Sequence, residues 1–270
     1  MYPELFSVGP VTVYTYGVLL ATSYLLGLQL ARARARRWGL DGDRILDLGI
    51  YVIIAALVGA KLLLLVVDFD EFRRSPVDLL SLARSAGVFY GGLVAALGVA
   101  FWYIPKHNLP LWTTCDIFAP AVALGHVTGR LGCFAAGCCY GKPTTVAWAV
   151  TFTSPLAAAN VGTPLGVALH PTQLYEAGAE LLILGLLIAT ERRGRRRFAG
   201  RTFWSYLLLY AISRFAIEIY RGDPRGTVFT VLSTSQFISL VLAPLSLGMM
   251  IWLARATRNV RPPHVPTGVA

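Results

Sequence analysis

The chain has 270 residues, 56% of them hydrophobic and only 14% charged, with a formal net charge of +10 at pH 7. Soluble domains carry roughly 25% charged residues, so this balance, with a mean hydropathy of +0.60, excludes an ordinary water-soluble globule and implies a polytopic membrane protein. The arginines stand in short clusters between apolar runs, a pattern of membrane topology and not of a nucleic-acid surface, so no nucleic-acid partner is expected.

A membrane-spanning helix needs about 20 mostly apolar residues. Stretches at roughly 10–31, 45–67, 88–105, 116–137, 172–190, 203–220 and 234–254 meet that requirement. They predict an all-α integral membrane protein with seven transmembrane helices in a single domain over 1–260. The proline-containing tail 261–270 is expected to be disordered. The first apolar run is long and ends in arginines, unlike a cleavable signal peptide. Basic residues gather after the first span (Arg32, Arg34, Arg36, Arg37, Arg44), after the fifth (Arg192, Arg193, Arg195, Arg196, Arg197, Arg201) and in the tail (Arg255, Arg258, Arg261), with Lys106 after the third. The alternate connections hold fewer: Arg73, Arg74, Arg84, Lys142, Arg221 and Arg225. This bias predicts an outer N-terminus and a cytoplasmic C-terminus. The connection 139–171 then lies outside, and segment 68–86 reads as an outer, surface-lying piece.

The polar residues inside the spans suggest the chemistry. Residues 125–142, GHVTGRLGCFAAGCCYGK, place Arg130 in an apolar run with Cys133, Cys138 and Cys139 beside it. An arginine at membrane depth is costly and holds an anion or an acidic partner; the structural alternative is pairing with Glu218 or with backbone carbonyls. The cysteines admit packing, disulfide or metal readings. The Cys-x4-Cys-Cys spacing does not match zinc-site patterns, so no metal and no cofactor is expected. In the sixth span Arg214, Glu218 and Arg221 share one helical face, where Glu218 can pair with Arg214 and the arginine forks suit a phosphate diester. His170-Pro171-Thr172-Gln173-Leu174-Tyr175-Glu176 opens the fifth span. Pro171 and Glu176 suit a helix start, whereas His170, Gln173 and Tyr175 have no such explanation. Tyr14, Tyr16 and Gly17 in the first span, and Phe89-Tyr90-Gly91-Gly92 at the third, are weaker signals: interfacial tyrosines are common, and paired glycines mark close backbone approach. With the orientation fixed, Tyr16, Tyr90, Arg130, His170 and Arg214 are expected to converge on a polar pocket for an anionic lipid headgroup.

These motifs, in this order, resemble the phosphatidylglycerol–prolipoprotein diacylglyceryl transferase family over nearly the whole length. Tyr14 to Gly17, Phe89 to Gly92, Gly129 to Phe134, His170 to Glu176 and Arg214 to Arg221 carry the resemblance. It implies transfer of a diacylglyceryl group from phosphatidylglycerol to the lipobox cysteine thiol of a preprolipoprotein, giving a thioether and glycerol 1-phosphate, in a bacterial inner membrane. The implied partners are phosphatidylglycerol, preprolipoprotein signal peptides and membrane lipids. The leaving phosphate must be stabilised, and a thiol of pKa about 8.5 must lose its proton. The implied catalytic residues are Arg130, Arg214, Glu218, Tyr16 and His170. Substrate binding falls to Arg130, Tyr90, Gly91, Gly92, Tyr14, Gly141, Gln173, Tyr175 and Arg221.

Three positions depart from the usual family pattern. Cys133 stands where asparagine is common, Cys138 where glutamate is usual, and Tyr90 where a histidine precedes the double glycine. Tyrosine, with a pKa of about 10, is a poor base at neutral pH; His170 is the best-placed substitute and His126 a weaker one. These departures favour, as the main rival, a relative with a different lipid donor or acceptor. A transporter or lipid-binding scaffold lacks support because no internal repeat is visible, and a thiol redox protein because there is no Cys-x-x-Cys.

Overall fold

The computed structural model describes residues 3–9, 11–69, 87–192, 198–223, 227–228 and 232–259. Segment 70–86 and the tail 261–270, for which a surface-lying piece and disorder are expected, lie outside the described residues. Among these residues the helices are α1 (Thr15–Arg37), α2 (Gly42–Val67), α3 (Phe89–Lys106), α4 (Leu111–Ala136), the short α5 (Pro155–Val161), α6 (Thr172–Arg192), α7 (Arg201–Glu218) and α8 (Thr234–Asn259). Antiparallel two-stranded pairs join β1 (Glu4–Val8) to β2 (Val11–Tyr14), β3 (Val150–Thr151) to β4 (Ala168–Leu169), and β5 (Thr227–Val228) to β6 (Leu232–Ser233). Every stretch expected to span therefore contains one long helix. The helices over Gly42–Val67, Leu111–Ala136, Thr172–Glu191 and Thr234–Thr257 are long and apolar enough to cross a membrane.

The first expected span starts late. Residues 11–14 form β2, with Tyr14 opposite Glu4 across the hairpin. The β-branched run Val11-Thr12-Val13 favours a strand, and Gly9 at φ 58 supplies the left-handed turn. The helix begins only at Thr15, so Tyr14 precedes it.

The chain divides into two compact units, Leu28–Thr114 and the combination of Met1–Gly27 with Cys115–Ala270. In the first, α2 packs on α3 through glycines. A Cβ added at Gly91 would strike the Gly59 carbonyl oxygen and Leu63 Cβ; at Gly59 it would lie 2.5 Å from both Ala95 Cβ and the Gly91 carbonyl oxygen. A Cβ at Gly92 would lie 2.7 Å from the Ala56 carbonyl oxygen. Small residues let helices approach closely where lipid offers no hydrophobic drive. The close approach expected at Gly91-Gly92 is therefore made by another helix of this chain. On α2, Ile50, Ile54, Leu57, Val58, Leu62 and Val66 remain exposed, an apolar face that suits a lipid surround.

In the other unit Ala119 and Ala123 of α4 meet Ile183, Leu184 and Leu187 of α6 and Tyr206 of α7. Asp116, fully buried on α4, accepts hydrogen bonds from the backbone N–H of Gly200 (2.7 Å) and Phe203 (2.9 Å). It thereby caps α7, whose own N-cap is a glycine without a side chain to do so. At the start of α8, Ser233 and Gln236 exchange side-chain to backbone hydrogen bonds at 3.1 and 3.2 Å, a capping box. The connection after α4 is itself folded. Tyr140, Phe152 and Leu169 form a small core with Phe134, and Thr163 Oγ1 donates to the carbonyls of Gly137 (3.0 Å) and Ala157 (3.2 Å).

Candidate active site

The site is built where α4 ends. The helix stops at Ala136, and Gly137 (φ 83) and Cys139 (φ 62) turn the chain back. A left-handed cysteine is uncommon, and its neighbours hold it. Thr172 Oγ1 donates to the Cys139 carbonyl at 2.8 Å, and Gln173 Nε2 to the Cys138 carbonyl at 2.7 Å. Both side chains are fully enclosed. Gln173, expected at the substrate, fixes this turn through Nε2, and its buried Oε1 has no hydrogen-bond partner among the described residues.

Beyond the turn three backbone segments cross. The N–H of Gly141 donates to the His170 carbonyl (3.0 Å), His170 to Lys142 (3.0 Å), Lys142 to Tyr220 (2.8 Å) and Gly222 to Tyr140 (3.1 Å). A Cβ at Gly141 would lie 2.5 Å from the His170 oxygen and 2.9 Å from that of Tyr220. Gly141 is thus required for the crossing, which explains it without a substrate. The crossing brings Arg221, just past α7, up to the start of α6.

Glu176, one turn into α6, gathers the arginines. Its Oε2 is 2.6 Å from Arg130 Nη2, and its Oε1 lies 3.2 Å from Arg214 Nη1 and 2.7 Å from Arg221 Nη1. Arg214 Nη2 reaches Glu218 Oε2 at 2.6 Å, an ion pair off hydrogen-bond alignment, and donates to Ser235 Oγ on α8 at 3.0 Å. Arg221 forks onto both oxygens of Asp223 at 2.8 and 3.0 Å. Burial works against the Arg221 charge, but its hydrogen bond to Asp223, with Cys139 and Glu176 nearby, holds it firmly protonated. The three side chains differ in access: Arg130 is 15% exposed, Arg214 5% and Arg221 2%. Arg130 is the guanidinium best able to meet an incoming anion.

One turn before Arg130 on α4 and one turn after Glu176 on α6, His126 Nδ1 lies 2.9 Å from Glu180 Oε1 and its ring stacks on Tyr210. Arg130–Glu176 and His126–Glu180 form two rungs between antiparallel α4 and α6. This pairing commits His126 to a structural partner. His170 Nδ1 is 3.0 Å from the Tyr175 hydroxyl, which accepts from Trp148 Nε1 at 2.7 Å, and Tyr220 packs edge-on against both rings. Tyr16, half exposed in the first turn of α1, lies over Gly132: a Cβ there would be 3.1 Å from its ring. Tyr14 is exposed at the end of β2. Tyr90, Gly91 and Gly92 belong to the other unit, in the first turn of α3.

Arg130, Arg214, Arg221, Glu218, Gln173, Tyr175, His170 and Gly141 thus surround one end of α6, and Tyr16 meets α4 just before its end. The partner expected for a structural Arg130 was Glu218; the structure gives Glu176. Glu176, Asp223, Ser235 and Trp148 were not anticipated. A signal existed for the first. Glu176 and Glu180 are i,i+4 acids inside an apolar span, and such acids need cationic partners. No disulfide joins the four cysteines, and the Sγ atoms of Cys133, Cys138 and Cys139 lie within 4.8 Å of one another. Hydrogen bonds from Cys133 and Cys138 hold the Cys139 thiol well below its ordinary pKa, with burial opposing and Arg221 and Arg130 assisting.

Comparison with known proteins gives the family. The family model described as prolipoprotein diacylglyceryl transferase matches residues 3–252. The phosphatidylglycerol–prolipoprotein diacylglyceryl transferase of Clostridium tetani is 37% identical over 89% of this chain and 93% of its own length. That of Finegoldia magna is 30% identical over 88% and 90%, and that of Synechococcus elongatus 28% identical over 96% and 89%. With buried arginines gathered at the end of a membrane-spanning helix and a family match along nearly its whole length, the chain belongs to the prolipoprotein diacylglyceryl transferase family.

Proposed function

We propose that the protein transfers the diacylglyceryl group of phosphatidylglycerol to the lipobox cysteine thiol of preprolipoproteins. It would work as a seven-span protein of a bacterial inner membrane, with the N-terminus outside and the C-terminus cytoplasmic. The observation that carries this reading is the convergence of Arg130, Arg214 and Arg221 on Glu176.

In the reaction the thiol sulfur attacks the glyceryl carbon that bears the phosphate. A carbon–sulfur bond forms, the carbon–oxygen bond to phosphorus breaks, and glycerol 1-phosphate departs. The phosphate passes from a monoanionic diester toward a dianionic monoester, so negative charge grows on it as the bond breaks. Arg130 supplies the first cationic contact. Arg214 and Arg221, held by Glu218 and Asp223, keep the site positive and oriented, and donors fixed beforehand stabilise developing charge without reorganising. Glu176 balances the arginines at rest and yields Arg130 to the stronger anion. Tyr16 hydrogen-bonds the headgroup or the incoming thiol. His170, steadied through Nδ1 by Tyr175 and Trp148, takes the thiol proton.

Purified protein mixed with phosphatidylglycerol vesicles and a lipobox peptide tests this. A thioether-linked diacylglyceryl peptide is expected by mass spectrometry, with the rate lowered about 10²–10³-fold in Arg130→Ala, the usual loss for one charge-stabilising donor. No product from the folded wild-type protein overturns the assignment. Product from a different anionic lipid would favour a relative with another donor, the reading that the departures at Tyr90, Cys133 and Cys138 support.

A further inference from the structure

We propose that Cys133, Cys138 and Cys139 form a three-thiolate site for a single soft, thiophilic cation, with Cu(I) the best fit. The proposal is independent of the transferase reading, since no step above uses these sulfurs. Cysteine spacing gave no metal signal. The turn that ends α4 nevertheless brings the three Sγ atoms within 4.8 Å of one another. With metal–sulfur bonds of about 2.3 Å, three sulfurs in a plane around one ion stand about 4 Å apart, so the cluster is already the size of a thiolate cage.

The cage is built into the backbone. Cys133 lies in the last turn of α4, and the left-handed Gly137 and Cys139 fold the chain back toward it. A left-handed cysteine is strained and persists only where its surroundings over-determine it. Thr172 and Gln173 supply that constraint through the carbonyls of Cys139 and Cys138. Among the described residues the cluster holds three cysteines and no histidine or carboxylate. An all-sulfur set of three suits Cu(I), whereas zinc in closed sites takes four ligands. Each thiol that binds the ion releases its proton, so binding is proton-coupled.

The test uses the full-length protein, reduced and anaerobic in detergent. Cu(I) is titrated against bicinchoninate, and Zn(II) against a chromophoric chelator in a parallel arm. Withdrawal of one equivalent of either ion, weakened at least about 100-fold in Cys139→Ser and unchanged in Cys115→Ser, supports the site, and the arm that responds identifies the ion. Cys115 lies 18 residues before Cys133 on the same helix, roughly 27 Å along its axis, so it is a fair control. A second reading guards against a variant that fails to fold. In the wild-type protein, bound ion should shield Cys133, Cys138 and Cys139, but not Cys115, from iodoacetamide, as mapped by mass spectrometry. No withdrawal of either ion, equal withdrawal by Cys139→Ser, or a disulfide between two of the three that persists under reductant overturns the proposal.

Discussion

Glu176 is the carboxylate on which the three arginines of the site meet. Its side chain is 6% exposed and holds three guanidiniums that are themselves largely buried. Breaking a buried ion network by removing one member leaves uncompensated charge and costs about 3–5 kcal/mol. Glu176→Ala should therefore destabilise the fold by that free energy, read as a lower thermal midpoint in detergent, and abolish transfer. Glu176→Gln keeps the shape, so it should melt closer to wild type while transfer still falls, because the arginines lose their common anchor. Equal melting of Glu176→Ala and wild type would show that Glu218 and Asp223 suffice. The sequence made the arginines legible, because isolated charge in an apolar run stands out. It hid Glu176, because the same residue also suits the positive end of a helix, and a sufficient local explanation removed the motive to seek a distant partner. Gln173 is the converse: nothing local explains it, and the partner of its Nε2 is a backbone carbonyl that no sequence pattern displays.

At the scale of elements, glycine decides where helices meet. Gly59, Gly91 and Gly92 bring α2 and α3 to backbone contact, whereas a Cβ at Gly98 on the same α3 would meet nothing within 4 Å. Gly91→Ala should thus cost about 1–3 kcal/mol through overpacking, read as a lowered melting point. Gly98→Ala should leave stability unchanged or raise it slightly, since alanine is the better helix former. Equal behaviour of the two variants would mean that the contact yields without cost. The long helices were readable because each satisfies a length and polarity rule set by the bilayer. The exceptions are short-range: β2 took residues 11–14 from the expected first span because three β-branched residues follow a turn-forming glycine. The fold of the connection after α4 was not legible. It rests on single tertiary contacts such as Thr163 to Gly137, which leave no periodic trace.

At the scale of the whole molecule the open question is which side the active site faces, and the ends of the helices bear on it. Basic residues close α1 (Arg34, Arg36, Arg37) and α3 (Lys106), and in sequence Arg193 follows α6 and Arg255 lies near the end of α8. If α1, α2, α3, α4, α6, α7 and α8 each cross once, all four of these ends fall on one side, the cytoplasmic one. The turn at Cys139, Arg221 and the start of α6 then face outward, the side on which an exported lipobox substrate emerges. Single cysteines at Ala159 in α5 and Ala256 near the end of α8, both exposed, report the two sides. In spheroplasts an impermeant maleimide should label Ala159→Cys above the parent background, and label Ala256→Cys only after permeabilisation. The reverse pattern would invert the protein and put the arginine cluster on the cytoplasmic face. Labelling of both in intact spheroplasts would mean an even number of crossings between the two sites, and α7, the least apolar of the three helices that separate them, would then have to lie outside the bilayer.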